Sequence, residues 1–78
     1  MPRDLPPDPA LAAVLRRLRE DRGLAQEAVA FRAGISTGAV ARIELAQSSP
    51  SWVTVRQIVK ALDVSMGDLG KAVDREPK

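Results

Sequence analysis

The chain has 78 residues, 45% of them hydrophobic, and a formal net charge of +2, which suits one small domain. It has neither cysteine nor histidine, which excludes disulfide frameworks, thiolate metal sites and the commonest general base. No apolar run approaches the roughly 20 residues of a membrane-spanning helix, and the N-terminus does not resemble a signal peptide, so we expect a cytoplasmic protein without membrane contact.

The charge pattern is compatible with a nucleic-acid partner without establishing one. Nine of the twelve cationic residues are arginines, and the pI is 9.7. Without histidine, cysteine or an evident carboxylate pair, little in the sequence could perform catalysis. We therefore predict no enzyme, no small-molecule substrate, no cofactor and no metal.

The first helix begins after a proline-rich segment. Residues 1–8 predict a flexible arm, because three prolines prevent a helix there. Asp8 followed by Pro9 is typical of an N-cap and a first helical position. Helix 1 is expected to run to about Arg22, with Gly23 as its left-handed end. Its apolar stripe consists of Leu11, Val14, Leu15 and Leu18.

Two short helices follow, joined by a tight turn. The pattern predicts helix 2 over about 26–33 and helix 3 over about 37–45, with Gly34 at a positive φ between them. Ser36 is a good N-cap for helix 3, whereas Ala25 is a poor one for helix 2. Val40 and Ile43 lie on one side of helix 3. This arrangement is typical of a helix-turn-helix.

Two further helices complete the predicted domain over residues 9–73. After a polar loop at 46–50, Ser51 caps helix 4, and a capping box at 65–68 opens helix 5. Residues 74–78 are expected to fray. The predicted apolar face of helix 4 consists of Trp52, Val55, Ile58, Val59 and Leu62, and that of helix 5 of Met66, Leu69 and Val73.

Motifs spread over residues 11–69 resemble the Cro/repressor (XRE-type) helix-turn-helix family. The matching segments are Gly23-Leu24-Ala25-Gln26-Glu27, Ala30, Gly34-Ile35-Ser36, Val40, Arg42-Ile43-Glu44, Pro50-Ser51 and Ala61-Leu62-Asp63-Val64-Ser65. The resemblance implies an all-α, five-helix lambda-repressor-like domain that binds double-stranded DNA through helices 2 and 3 and is commonly dimeric.

The resemblance also assigns structural roles. Arg19 and Glu44 match a partly buried ion pair, although two solvated surface charges are the alternative. Gln26 matches a glutamine that binds a DNA phosphate and braces the start of helix 3. Its alternative is an exposed residue that merely favours the helix.

The expected base-reading face carries few long side chains. The resemblance assigns it to Thr37, Gly38, Ala41 and Arg42, of which Arg42 could read guanine or contact only a phosphate. Affinity should therefore depend on phosphate contacts and DNA shape. Candidate phosphate contacts are Ser36, Gln47, Ser48 and Ser49, and Arg32 either adds a long-range positive charge or lies on a solvated face.

One departure from the family pattern affects the loop after helix 3. Relatives usually have Asn-Gly where this chain has Leu45-Ala46, and neither residue here adopts a left-handed turn cheaply. Either helix 3 runs longer or the loop takes another path.

The predicted function is a small stand-alone transcriptional regulator of a bacterium or phage, acting as a dimeric repressor or controller on a palindromic operator through the major groove. The alternative is a protein-interaction module, antitoxin-like or a co-regulator, with weak or no DNA binding. The predicted dimer surface includes Met66, Leu69 and Val73, with Trp52 or Val53 as additions. Trp52, Met66 and Leu69 could instead be core, and core is the preferred interpretation of Trp52.

Overall fold

The computed structural model describes residues 5–77, which form five helices and no strand. Residues 1–4 of the predicted arm and Lys78 lie outside the described range. Within this range, no helix is long and apolar enough to cross a membrane. The helices are α1 (Pro9–Asp21), α2 (Gln26–Ala33), α3 (Thr37–Glu44), α4 (Trp52–Ala61) and α5 (Met66–Arg75). The predicted all-α fold is confirmed.

Short polar side chains begin four of the five helices. Asp8 Oδ1 accepts a hydrogen bond from Ala10 N at 2.9 Å. The hydroxyls of Ser36, Ser51 and Ser65 each accept one from the amide three residues later, at 3.0–3.1 Å. These bonds satisfy amides that have no partner inside the helix. Ala25, which precedes α2, provides no such bond.

Four helices end in a left-handed residue, and two of these residues are not glycine. Gly23 and Gly34 have the predicted positive φ, but Ala46 (φ 56°) and Asp63 (φ 58°) adopt the same conformation. At Ala46 the turn is closed by a 2.8 Å bond from Gln47 N to Arg42 O. Helix α3 therefore ends as it would with glycine there, because this hydrogen-bonded closure offsets the steric cost of the alanine.

The core takes buried residues from all five helices, with α2 packed most closely against α4 and α3, and α1 packed against α3 and α5. The most deeply buried large side chains are Val14, Leu15, Val29 and Leu62. The remaining buried apolar residues of the core cluster are Ala30, Ala33, Val40, Ile43, Val55, Ile58, Val59 and Leu69. All are aliphatic, as the scarcity of aromatic residues requires.

The preferred interpretation of Trp52 as core is wrong, because its side chain is 67% exposed. Trp52 is the first residue of α4, and helical side chains lean toward the N-terminus, so the indole projects past the helix start. Its neighbour Val53 is 61% exposed. The other aromatic residue, Phe31, is 87% exposed on α2.

Helix α5 corrects two expectations at the C-terminal end. Leu69 is only 4% exposed and belongs to the core, so it has no surface to offer a second protomer. Met66 and Val73 are half-buried against the same core. The helix also continues to Arg75, past the expected start of fraying at 74, and Glu76 just after it accepts a 2.7 Å hydrogen bond from Arg17 Nη1 of α1.

The left-handed Ala46 yields a stability prediction. Ala46→Gly should stabilise the fold by about 1 kcal/mol, because glycine lacks the Cβ that makes this conformation costly. For a domain of this size that corresponds to a rise in melting temperature of roughly 4–8 °C. Asp63→Gly is the matched control and should gain less, since aspartate tolerates a positive φ better than alanine. A lower melting temperature for Ala46→Gly would contradict the explanation.

Candidate nucleic-acid interface

The α2–α3 pair forms the helix-turn-helix, and its turn follows from local chemistry. Gly34 takes φ 74° after the last residue of α2. Ile35 N then donates to Ala30 O at 3.0 Å, which closes the end of α2. Ser36 then caps α3, so only Gly34 and Ile35 separate the end of α2 from the cap of α3. The half-buried side chain of Ile35 packs on the core cluster and so anchors the turn.

One side of α3 faces outward. Thr37, Gly38 and Arg42 are exposed and Ala41 is half-buried, whereas Val40 and Ile43 on the opposite side are in the core. At 3.6 residues per turn, these four residues form one continuous strip. The structure therefore brings together, on the outward side of α3, the four residues predicted to read bases.

The C-terminal end of α3 is fixed by a buried carboxylate. Glu44 Oε2 accepts a 2.7 Å hydrogen bond from Arg19 Nε, and Oε1 accepts one of 3.0 Å from Arg19 Nη2. Arg19 Nη1 also donates to Leu24 O at 2.8 Å. This fork on a carboxylate is the geometry in which an arginine pair is strongest. It joins α1, the turn after α1, and α3.

Burial raises the energetic importance of this pair. The side chains of Arg19 and Glu44 are 13% and 5% exposed. The hydrogen bond to Glu44 is the largest influence on the pKa of Arg19, which lies above its ordinary value although burial opposes the shift. The guanidinium therefore stays charged at any working pH, and pairing with it compensates the buried carboxylate.

Gln26 braces a different end of α3 from the one expected. Its Nε2 donates to Glu44 Oε1 at 3.1 Å, at the end of α3 rather than the start. Glu44 Oε1 can accept from Gln26 as well as from Arg19, because a carboxylate oxygen has two lone pairs. The start of α3 is held by its own cap, Ser36. Since the Gln26 amide has two N–H groups, one remains for an external acceptor.

The loop after α3 carries the other predicted phosphate contacts. Gln47 is exposed, and its backbone is fixed by the bond to Arg42 O. Ser48 is half-buried and Ser49 is exposed. Arg32 is exposed and directs Nη1 toward Ala61 O at 3.5 Å, which places it beside the end of α4 rather than on the strip of α3.

Sequence reasoning did not identify two contacts that support this site. Leu24 O accepts a hydrogen bond from Arg19 of α1, and the Glu76 carboxylate accepts one from Arg17 of the same helix α1. A backbone carbonyl acceptor leaves no trace in the residue type. Glu76 is separated from Arg17 by 59 positions, so no local spacing relates them.

Comparison with known proteins agrees with this geometry. The family described as "Helix-turn-helix domain" matches residues 10–71. The uncharacterized HTH-type transcriptional regulator y4dJ of Sinorhizobium fredii is 34% identical over 61 residues, which are 78% of this chain and 79% of that protein. The chain belongs to the Cro/repressor (XRE-type) helix-turn-helix family. The resemblance drawn from the sequence is confirmed.

Solved structures show the same fold. The restriction-modification controller protein C.AhdI of Aeromonas hydrophila is 33% identical, with a TM-score of 0.75 over 78% of this chain and 92% of that one. The clp gene regulator ClgR of C. glutamicum is 26% identical, with a TM-score of 0.80 over 85% of this chain and 86% of that one. Members of this helix-turn-helix family are DNA-binding transcriptional regulators, and this chain is one of them.

Removal of one partner from the buried pair should cost more stability than removal of one partner from an exposed pair. Arg19→Ala or Glu44→Ala should each destabilise the fold by about 3 kcal/mol, because the remaining partner is left buried and uncompensated. Arg16→Ala is the matched control: its 3.4 Å contact with Glu20 joins side chains that are about half exposed, and its loss should cost below ~0.5 kcal/mol. Urea denaturation and thermal melting measure all three variants. Melting shifts below two or so degrees in both Arg19 and Glu44 variants would contradict the assignment.

Proposed function

We propose that this regulator binds double-stranded DNA sequence-specifically as a homodimeric repressor or controller, with α3 in the major groove of a palindromic operator. The observation that carries the proposal is the exposed strip of α3. The helix is held at its C-terminal end by the hydrogen bonds that Glu44 accepts from Arg19 and Gln26. A strip fixed at its end by α1 and α2 keeps its side chains at a constant position, which selective base contacts require. Such a protein, whether encoded by a bacterium or by a phage, would act in the bacterial cytoplasm.

The proposed contacts divide into base and phosphate contacts. Arg42 would read guanine O6 and N7 with its two-pronged guanidinium, and the methyl groups of Thr37 and Ala41 would meet a thymine methyl. Gly38 would allow close approach of the backbone. Phosphate contacts would come from Ser36, Gln47, Ser48 and the free amide N–H of Gln26. With one long base-reading side chain, sequence-dependent DNA shape would supply much of the remaining selectivity.

Selection of bound duplexes from a random pool, followed by fluorescence anisotropy at several salt concentrations, tests this function. The expected result is a preferred palindromic sequence and an affinity that falls steeply with salt as counterions are released. Arg42→Ala should relax preference at one base pair of each half-site, at a cost of ~1–3 kcal/mol. The control, Arg75→Ala, changes an exposed arginine on α5, which packs on α1 and α4.

Other outcomes have distinct meanings. If Arg42→Ala weakened all sequences equally, Arg42 would be a phosphate contact and not a reader. If the folded protein bound no duplex even at low salt, the protein-interaction module would replace DNA binding as its function. The exposure of Phe31 on the outer side of α2 is the observation that favours this second candidate.

The exposed Trp52–Val53 pair supports a two-fold dimer at the start of α4. One recognition helix reads too few bases to select a site, and two must be spaced roughly 34 Å apart. A protomer measuring 37 × 25 × 19 Å is about the size of one half-site. Tryptophan is enriched at the centres of interfaces, and an exposed indole beside an exposed valine offers the apolar area that buried Leu69 cannot. Half-buried Met66 and Val73 on α5 would offer the dimer a smaller apolar area of their own.

Trp52 can report its own burial, because it is the one tryptophan of the chain. Its fluorescence emission should shift to shorter wavelength as protein concentration rises through the range in which sedimentation detects dimers. Val53→Ser should weaken dimerisation about 10-fold or more by removing apolar contact area, with little loss of monomer stability because the side chain is exposed. Dimerisation with unchanged emission would place the interface elsewhere.

A further inference from the structure

Gly38 leaves open the space beside the Arg42 side chain. Gly38 is the second residue of α3 and Arg42 is the sixth. A Cβ atom added to Gly38 would lie 3.3 Å from Arg42 Nη1, which is tighter than nine in ten such contacts. Helical side chains lean toward the N-terminus, so Arg42 extends back along the helix. Its guanidinium therefore lies over the first turn of α3 and not beyond the last.

The position of this guanidinium matters because the first turn of a recognition helix usually contacts base edges. Arg42 would otherwise belong to the end of α3, farther from those bases. Within residues 5–77 it forms no ion pair, so its donors are not committed to a carboxylate. The planar guanidinium presents two parallel N–H donors, whose spacing matches the O6 and N7 acceptors of guanine in the major groove.

We propose that Gly38 is a specificity-determining residue that acts without a side chain of its own. By leaving the surface of the first turn bare, it lets Arg42 reach a guanine opposite that turn. A larger residue at position 38 would displace the guanidinium and remove the preference for that base pair. The inference rests on the proposed DNA-binding function and identifies which base class it selects, and by which pair of residues.

Two substitutions at position 38 should displace the Arg42 guanidinium by different amounts. Gly38→Ala places its Cβ against the flexible end of Arg42, which needs to move by only a few tenths of an ångström. Gly38→Leu fills the space. Both replace a helical glycine by a stronger helix former, so both variants should fold. Gly70→Leu is the matched control, because a Cβ added at this exposed glycine of α5 meets nothing within 4 Å.

The experiment measures binding of each variant to the selected operator and to duplexes with each base pair changed, alone and combined with Arg42→Ala. Circular dichroism and thermal melting establish that each variant is folded. Gly38→Leu should lower discrimination about 10-fold at one guanine of the half-site, the same position affected by Arg42→Ala. Gly38→Ala should give a smaller loss, and Gly70→Leu none. In the Arg42→Ala background, Gly38→Leu should change discrimination there by less than about 2-fold, since coupled residues are non-additive.

Three results would overturn the inference. Gly38→Leu could retain full discrimination, alter a different base pair, or have an effect that multiplies with that of Arg42→Ala. Each of these leaves DNA binding by the wild-type chain intact. If the wild-type chain selected no sequence at all, the proposed function itself would fail and the inference would fall with it.

Discussion

The buried carboxylate of Glu44 is the constraint on which the arrangement of α1, α2 and α3 depends. A charge that is 5% exposed must be compensated, and the compensating groups come from two other helices: Arg19 of α1 and Gln26 of α2. Such pairs often contribute little net stability when compared with a well-packed apolar core. They do restrict geometry, because a displaced helix would leave an unpaired charge in the interior.

That restriction explains how an eight-residue helix can hold a fixed position on the domain. Isolated helices of this length are unstable in water. In this protein α3 is held by Ser36 at its start, by Val40 and Ile43 along its inner side, and by Glu44 and the Ala46 turn at its end. The contacts that hold α3 do not use the side chains of the outward strip. Those side chains are therefore available for contacts with DNA.

The strip itself is sparse. Glycine and alanine occupy two of its four positions, so the one long side chain, Arg42, has room along the helix. A surface of this kind suits close approach of the backbone to DNA, with phosphate contacts and DNA shape contributing alongside a single arginine. The exposed apolar side chains of Trp52 and Val53 lie at the start of the next helix, where the proposed dimer would bury them.

The sequence by itself determined the helices, three serine caps and the Asp8 cap, the glycine turns at Gly23 and Gly34, and the family. These features depend on residues within a few positions of one another, where periodicity and capping chemistry act directly. It did not reveal that Ala46 turns left-handed, since that conformation depends on hydrogen bonds that offset an unfavourable preference. It placed Trp52 in the core, because helical spacing cannot show where a side chain at the first turn projects. Only the tertiary structure decided that Gln26 donates to Glu44 and that Glu76 accepts from Arg17. Those contacts depend on side-chain directions and on helices distant in sequence, which no local pattern specifies.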